Sequence, residues 1–241
     1  MQAFTGAHDL RVDVLEMDVQ ATADNVLVVM HDATLERTTN RSGPVNRLTL
    51  AQLKKLDAGF NFSTDGGRTF PFRGRAVTVP TLEEVFKAFP TMRFNIEPKQ
   101  AQPSIIKPLC RMIRDHGLEK RVMVGSFSQH VLDEFRAECS EVSTSASTAE
   151  VGNFLTRLAA AAPPERAPTN SDRMQALQVP EYMLGRRALT REFVEAAHTL
   201  KLEVHAWTIN DEESMRRLIE VGVDGIMTDY PDRLITLLDK D

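Results

Sequence analysis

Two carboxylates set two residues apart inside an apolar run, Val14-Leu15-Glu16-Met17-Asp18-Val19, are the first feature of this 241-residue chain that could do chemistry. Acidic side chains are seldom buried without partners, and a spacing of two along a strand puts both on one face. Like charges held together repel unless a cation or a basic side chain joins them, which points to a hard divalent metal with oxygen ligands, Mg²⁺ or Ca²⁺. Glu97 ends the run Arg93-Phe94-Asn95-Ile96-Glu97 and offers a third carboxylate. Lys99, close behind it, supplies a point charge for a phosphate or for the cluster itself. The plainer alternatives are a polar strand face turned to solvent and a surface ion pair. His31 closes the apolar run Val26-Leu27-Val28-Val29-Met30 and precedes Asp32, which can orient an imidazole or cap the next turn. Trp207, the single tryptophan, sits in His205-Ala206-Trp207-Thr208 and could wall a ligand pocket or simply pack in the core.

These residues need a scaffold that gathers strand ends. Short β-rich runs alternate with amphipathic helical runs along the chain, which argues for a parallel sheet. The pattern predicts strands over Val12–Val19, Val26–His31, Arg93–Glu97, Val122–Ser126, Val142–Ser145, Ala176–Val179, Glu203–Thr208 and Gly225–Thr228. It predicts helices over Thr81–Ala88, Pro103–His116, Gln129–Glu138, Thr190–Leu200 and Glu212–Val221. Thr81 and Glu84 form a capping-box pair, and Asn210 is the expected cap of the last of these helices. Only six residues separate the first two strands, too few for a parallel crossover, so the second is read as a hairpin partner. A turn centred on Asp24-Asn25 pairs residues whose numbers sum to 49 and sets His31 opposite Asp18, where it could act as general acid or base. Seven parallel-type strands then remain, one short of a closed (β/α)₈ barrel.

Two segments break the alternation. Pro44–Pro80 is a long insertion in which Phe60, Phe62, Phe70 and Phe72 surround Asp65-Gly66-Gly67, and it is expected to act as a lid or to pack on its own rings. Ala159–Ser171, with Pro163, Pro164 and Pro168, reads as a mobile surface connection.

The net charge of −5, without a basic stripe, excludes nucleic acid as an expected partner. No apolar run approaches the ~20 residues a membrane helix needs. Cys110 and Cys139 both fall in helical patterns, so a disulfide framework is not expected, and a reducing, cytoplasmic setting is. The start of the chain lacks the basic and apolar regions of an export signal.

The stretches Leu15-Glu16-Met17-Asp18-Val19-Gln20, His31-Asp32-Ala33-Thr34-Leu35-Glu36-Arg37-Thr38-Thr39, Asn95-Ile96-Glu97-Pro98-Lys99 and Gly222-Val223-Asp224-Gly225-Ile226 together resemble the glycerophosphodiester phosphodiesterase family. Further matching stretches carry the likeness over essentially the whole chain. The resemblance implies a TIM (β/α)₈-type α/β barrel over residues 1–241, with the hairpin and the 44–80 insertion at the barrel top. It also implies metal-dependent hydrolysis of glycerophosphodiesters to an alcohol and glycerol 3-phosphate, while the phenylalanines of the insertion, which could shelter an acyl chain, keep lysophospholipid cleavage as the alternative. On it, Glu16, Asp18 and Glu97 match metal ligands, His31 one of two catalytic histidines, Lys99 a phosphate-contacting lysine and Trp207 a pocket residue. Attack by water and attack by the substrate's own hydroxyl stay open, as do the oligomeric state and a non-catalytic barrel that keeps the metal site. The family's opening strand, ending in His-Arg-Gly, has no counterpart in this chain. The expected barrel therefore lacks its first strand, a histidine, an arginine and one further carboxylate. Pro98 stands where an aliphatic residue is usual, and the strand is expected to fray there.

Overall fold

A computed structural model describes residues 1–160, 174–183 and 185–238. The chain opens with α1 (Gln2–Asp9), then β1 (Val14–Ala21) and β2 (Leu27–Val29), followed by a 3₁₀ turn at Val45–Arg47 and α2 (Leu50–Leu53) within the insertion. Next come α3 (Leu82–Ala88), β3 (Arg93–Pro98), α4 (Ile106–Asp115), β4 (Val122–Val124), α5 (Gln129–Glu138), β5 (Ser143–Ser145) and α6 (Thr148–Ala159). The rest is β6 (Met174–Pro180), the small hairpin β7 (Tyr182–Met183) and β8 (Arg186–Arg187), α7 (Arg191–Thr199), β9 (Glu203–Trp207), α8 (Glu212–Val221), β10 (Gly225–Ile226) and α9 (Pro231–Leu238).

One curled sheet runs β10-β9-β6-β5-β4-β3-β1-β2, with every pair parallel except β1 and β2. Its seven parallel strands are the ones expected, and the architecture is an α/β half-barrel. Between β10 and β1 the sheet is open, and β2 covers β1 only beside Val19–Ala21. Alternation along β1 divides the labour: Leu15, Met17 and Val19 pack into the core against the helices, leaving Val14, Glu16 and Asp18 on the inner face. On β3, Phe94 and Ile96 face the helices and Asn95 and Glu97 the interior. The interior is partly filled by polar groups, with Gln178 Nε2 donating to Asn95 Oδ1 at 3.0 Å. A Cβ on Gly125 would lie 2.8 Å from Gln178 Oε1, so that strand end tolerates only glycine without rearrangement.

Four details differ from expectation. The hairpin pairs Val19 with Val29 and Gln20 with Val28, a sum of 48. Thr22 N donates to Val26 O across a three-residue connection, and Asn25 takes the left-handed conformation (φ 59°) that closes such loops. Met30, not His31, therefore faces Asp18, and its N–H donates to Asp18 O at 2.9 Å. β3 does not fray at Pro98: the ladder to β1 is carried on by Lys99 N, which donates to Val19 O. The cap of α8 is Asp211, accepting from Ser214 N, while Asn210 is used elsewhere. Finally, Cys110 and Cys139 form a disulfide; packing of α4 beside α5 brings their Cα atoms to 5.8 Å, a neighbourhood that a separation of 29 residues does not reveal. The segment expected to be a surface connection lies, beyond Ala160, outside the described residues.

Candidate active site

The parallel register of β1 with β3 sets Asp18 beside Glu97 and Glu16 beside Asn95. Two carboxylates from neighbouring strands thus point into the same space at the carboxyl end of the sheet. Lys99, just past β3, reaches back between them: its Nζ lies 3.1 Å from Asp18 Oδ1 and 2.9 Å from Glu97 Oε2. All three side chains are largely covered, at 18–20% exposure, which lets the ion pairs act with little screening. Burial raises the Glu97 carboxyl above its ordinary value, and the Lys99 hydrogen bond and charge only partly reverse this. Burial alone would lower Lys99, but Glu97 and Asp18 outweigh it, and the ammonium is held above its usual value.

Glu16 is the most perturbed acid. Its residue surface is open to solvent at the sheet's gap, yet it lies deep in the protein's mass. That burial raises its carboxyl first, repulsion from Asp18, Glu97 and Asp229 adds to it, and Lys99 opposes; together they push it up to about 7. Asp229 is a member of this cluster that the residue reading missed. Asn210 Nδ2 donates to Asp229 Oδ2 at 2.8 Å, and Asn210 Oδ1 accepts from Thr228 Oγ1 and Asp229 N. The available signal was an acidic residue just after the last strand, Thr228-Asp229.

His31 stands in an exposed chain of its own. Its Nδ1 lies 2.6 Å from Asp32 Oδ1, and Arg37 grips the same carboxylate, with Nε 2.6 Å from Oδ2 and Nη2 3.1 Å from Oδ1. Arg37, then His31, hold the Asp32 carboxyl down at about 2. Gln20 Nε2 donates to the His31 carbonyl at 3.2 Å and ties this segment to β1. The register removes His31 from a place opposite Asp18, and its neighbour Met30 is bonded there instead. Trp207, half-buried at the end of β9, meets the exposed Phe127 edge-on at 5.4 Å, and Lys99 Nζ lies 5.6 Å from the Phe127 ring. Lys99, Phe127 and Trp207 thereby form one wall. A cleft of about 180 Å³ opens beside Lys99, with Gln20, Asn46 and Gln100 in its lining.

Can these residues hold a divalent cation? Their donor atoms are hard carboxylate oxygens, and Glu16, raised first by burial and then by repulsion from Asp18, Glu97 and Asp229, meets more negative charge than Lys99 offsets, which suits a hard cation. The oxygens are not drawn together as they stand. Among the described residues the one group of three or more that brings its ligand atoms within 4.8 Å of one another is Cys110, Cys139 and Glu141, and those sulfurs are joined to each other.

Comparison with known proteins gives the chain its relatives. The profile of the Glycerophosphoryl diester phosphodiesterase family matches residues 1–233. A glycerophosphodiester phosphodiesterase of Caldanaerobacter subterraneus subsp. tengcongensis is 35% identical over 243 residues, covering 99% of this chain and 90% of that protein. A lysophospholipase D of Mus musculus is 27% identical and covers all of this chain and 81% of its own length. Among solved structures, the glycerophosphoryl diester phosphodiesterase domain of a Mycobacterium tuberculosis protein superposes with a TM-score of 0.82 at 22% identity, covering 100% of this chain and 92% of that one, a likeness of fold.

Proposed function

The chain belongs to the Glycerophosphoryl diester phosphodiesterase family, and from that premise we propose that it hydrolyses glycerophosphodiesters to an alcohol and glycerol 3-phosphate, with a divalent cation, Mg²⁺ or Ca²⁺, held by Glu16, Asp18 and Glu97. Residues 1–241 are read as one barrel domain, with 44–80 as its insertion. The observation that carries the reading is Lys99 between Asp18 and Glu97, at the strand ends where barrel chemistry is done. When bound, the cation would supply Lewis-acid polarisation of a phosphoryl oxygen. The protein's own residues do the rest. Lys99 pairs with a second non-bridging oxygen and orients the phosphate. His31, with Nδ1–H donated to Asp32, presents Nε2 to hold or move the proton of the attacking or leaving oxygen. Arg37 keeps Asp32 ionised, and the anion in turn stabilises the imidazolium. Phe127 and Trp207 cover the apolar edge of the substrate.

The test is release of choline and glycerol 3-phosphate from glycerophosphocholine in Mg²⁺ or Ca²⁺. Turnover that falls by ~10²–10⁴ in His31→Ala supports the reading. Cation binding by calorimetry, weakened in Asp18→Ala but without turnover of any phosphodiester, would instead establish a non-catalytic barrel. A second reading, lysophospholipid cleavage, is favoured by the exposed rings of Phe62 and Phe72 in the insertion; comparing lysophosphatidylcholine with glycerophosphocholine separates the two.

A further inference from the structure

The insertion between β2 and α3 packs at the carboxyl end of β1, where Ala23 N donates to Leu48 O and Leu50 N to Asp24 Oδ1. Its outer part is anchored to the histidine segment: Asn61 Nδ2 donates to the carbonyls of Glu36 and Thr39, flanking Arg37. Beyond that anchor most residues from 62 to 76 are exposed, although Arg73 Nε and Gly74 N are tied back to Phe60 O and Asp57 Oδ2, and the composition is unlike the rest of the protein. Phe62 and Phe72 are 48% and 37% exposed and stack edge-on at 5.2 Å. Arg68, Arg73 and Arg75 of the same stretch are exposed. Arg73 is presented on a ring platform, its guanidinium 4.1 Å from the Phe60 centroid and 3.8 Å from that of Phe70. Asp65 is the single acid of the stretch, and its carboxylate is turned onto Ser63 Oγ, Arg68 N, Thr69 N and Thr69 Oγ1. In a chain of net charge −5, this tip offers three cations beside two solvent-facing rings.

Burying phenylalanine in water's place is favourable, and leaving two such rings exposed beside one another costs the free protein. Arginines flanking apolar rings match an interface with anionic phosphates above and acyl chains below. A soluble acidic protein could meet the charges, but the rings would then need a groove of their own. We propose that the 62–76 tip docks the protein on an anionic phospholipid surface, with Phe62 and Phe72 entering the acyl boundary and Arg68, Arg73 and Arg75 on the headgroup phosphates. Docking there sets the carboxyl end of the sheet toward the lipid. The proposal goes beyond the catalytic reading, and its readout needs no turnover, so either can fail alone.

The experiment is co-sedimentation of the full chain with phosphatidylcholine vesicles, with and without phosphatidylglycerol. The expected result is binding that requires phosphatidylglycerol and weakens with salt. Arg68→Gln with Arg75→Gln should weaken it about thirty-fold, and Phe62→Ser with Phe72→Ser about tenfold or more. All four sites are exposed, so unchanged far-ultraviolet dichroism and melting are expected of both variants. Equal binding to neutral vesicles, no binding to either, or undiminished binding by both variants overturns the proposal. So does a dimer in light scattering that the phenylalanine variant abolishes while wild type ignores vesicles, which would assign the patch to a second copy of the chain.

Discussion

Replacing Glu16 by Gln removes a carboxyl that the folded protein prefers to keep protonated, and the size and sign of the effect follow from its surroundings. Burial, with Asp18, Glu97 and Asp229 nearby, raises it from 4.5 to about 7. The stability this protonation contributes is fully present below the unfolded value, and it is lost as pH rises through about 7. Converted in full, that interval is about 3 kcal/mol; because solvent reaches Glu16 at the open side of the sheet, screening leaves about 1 kcal/mol. In chelator at about pH 8, Glu16→Gln should therefore melt about 2–4 °C above wild type, and at about pH 4 the two should coincide. Added Ca²⁺ should reverse the order, stabilising wild type more than the variant in proportion to its tighter binding. Thermal unfolding followed by circular dichroism across this pH range, with and without cation, is the assay. An equal difference at both pH values, or a variant less stable than wild type in chelator at about pH 8, would refute the account of the cluster.

Other consequences are more direct. Lys99→Met leaves Asp18 and Glu97 without their shared ammonium, and should lower stability in chelator at about pH 8 by about 1–3 kcal/mol; denaturant titration showing no loss would contradict the bridging role. Asp32→Asn keeps the shape of the His31 contact but not its charge, so turnover should fall by roughly tenfold or more while the far-ultraviolet dichroism stays that of a folded protein. Reduction of the disulfide between Cys110 and Cys139, which closes a separation of 29 residues, should cost about 3–4 kcal/mol. Thiol labelling of denatured, unreduced protein should find no free cysteine.

Much of the scaffold was legible because the periodicities are strong. The capping box of Thr81 with Glu84 and the limits of α5 and α8 agree with the sequence reading residue for residue. The count of seven parallel strands also holds, since buried strands advertise themselves as short apolar runs. The inward turn of Glu16, Asp18 and Glu97 was legible in kind: a carboxylate inside an apolar strand must face something other than the helices. What failed were features decided by one residue or by packing. Whether the hairpin closes over two residues or three depends on Asn25 accepting a left-handed conformation, and that single choice moves His31. Asp229 joins the cluster through barrel curvature, and Cys110 meets Cys139 through helix neighbourhood; neither is a spacing along the chain. Asn210 looked like a cap because Asn and Asp compete for that role, and the adjacent Asp211 took it.

The gap between β10 and β1 also governs how the site responds to ions in solution. Val14 lies on the same inner face as Glu16 but nearer the start of the strand, and it is 40% exposed. Water thus touches the wall below the mouth as well as above it. A substrate covering the top would not seal such a chamber, so Glu16 keeps one side open to bulk solvent while Asp18, Glu97 and Lys99 stay covered. The repulsion that Glu16 feels from its neighbours should accordingly soften as ionic strength rises, unlike that between acids in a sealed pocket.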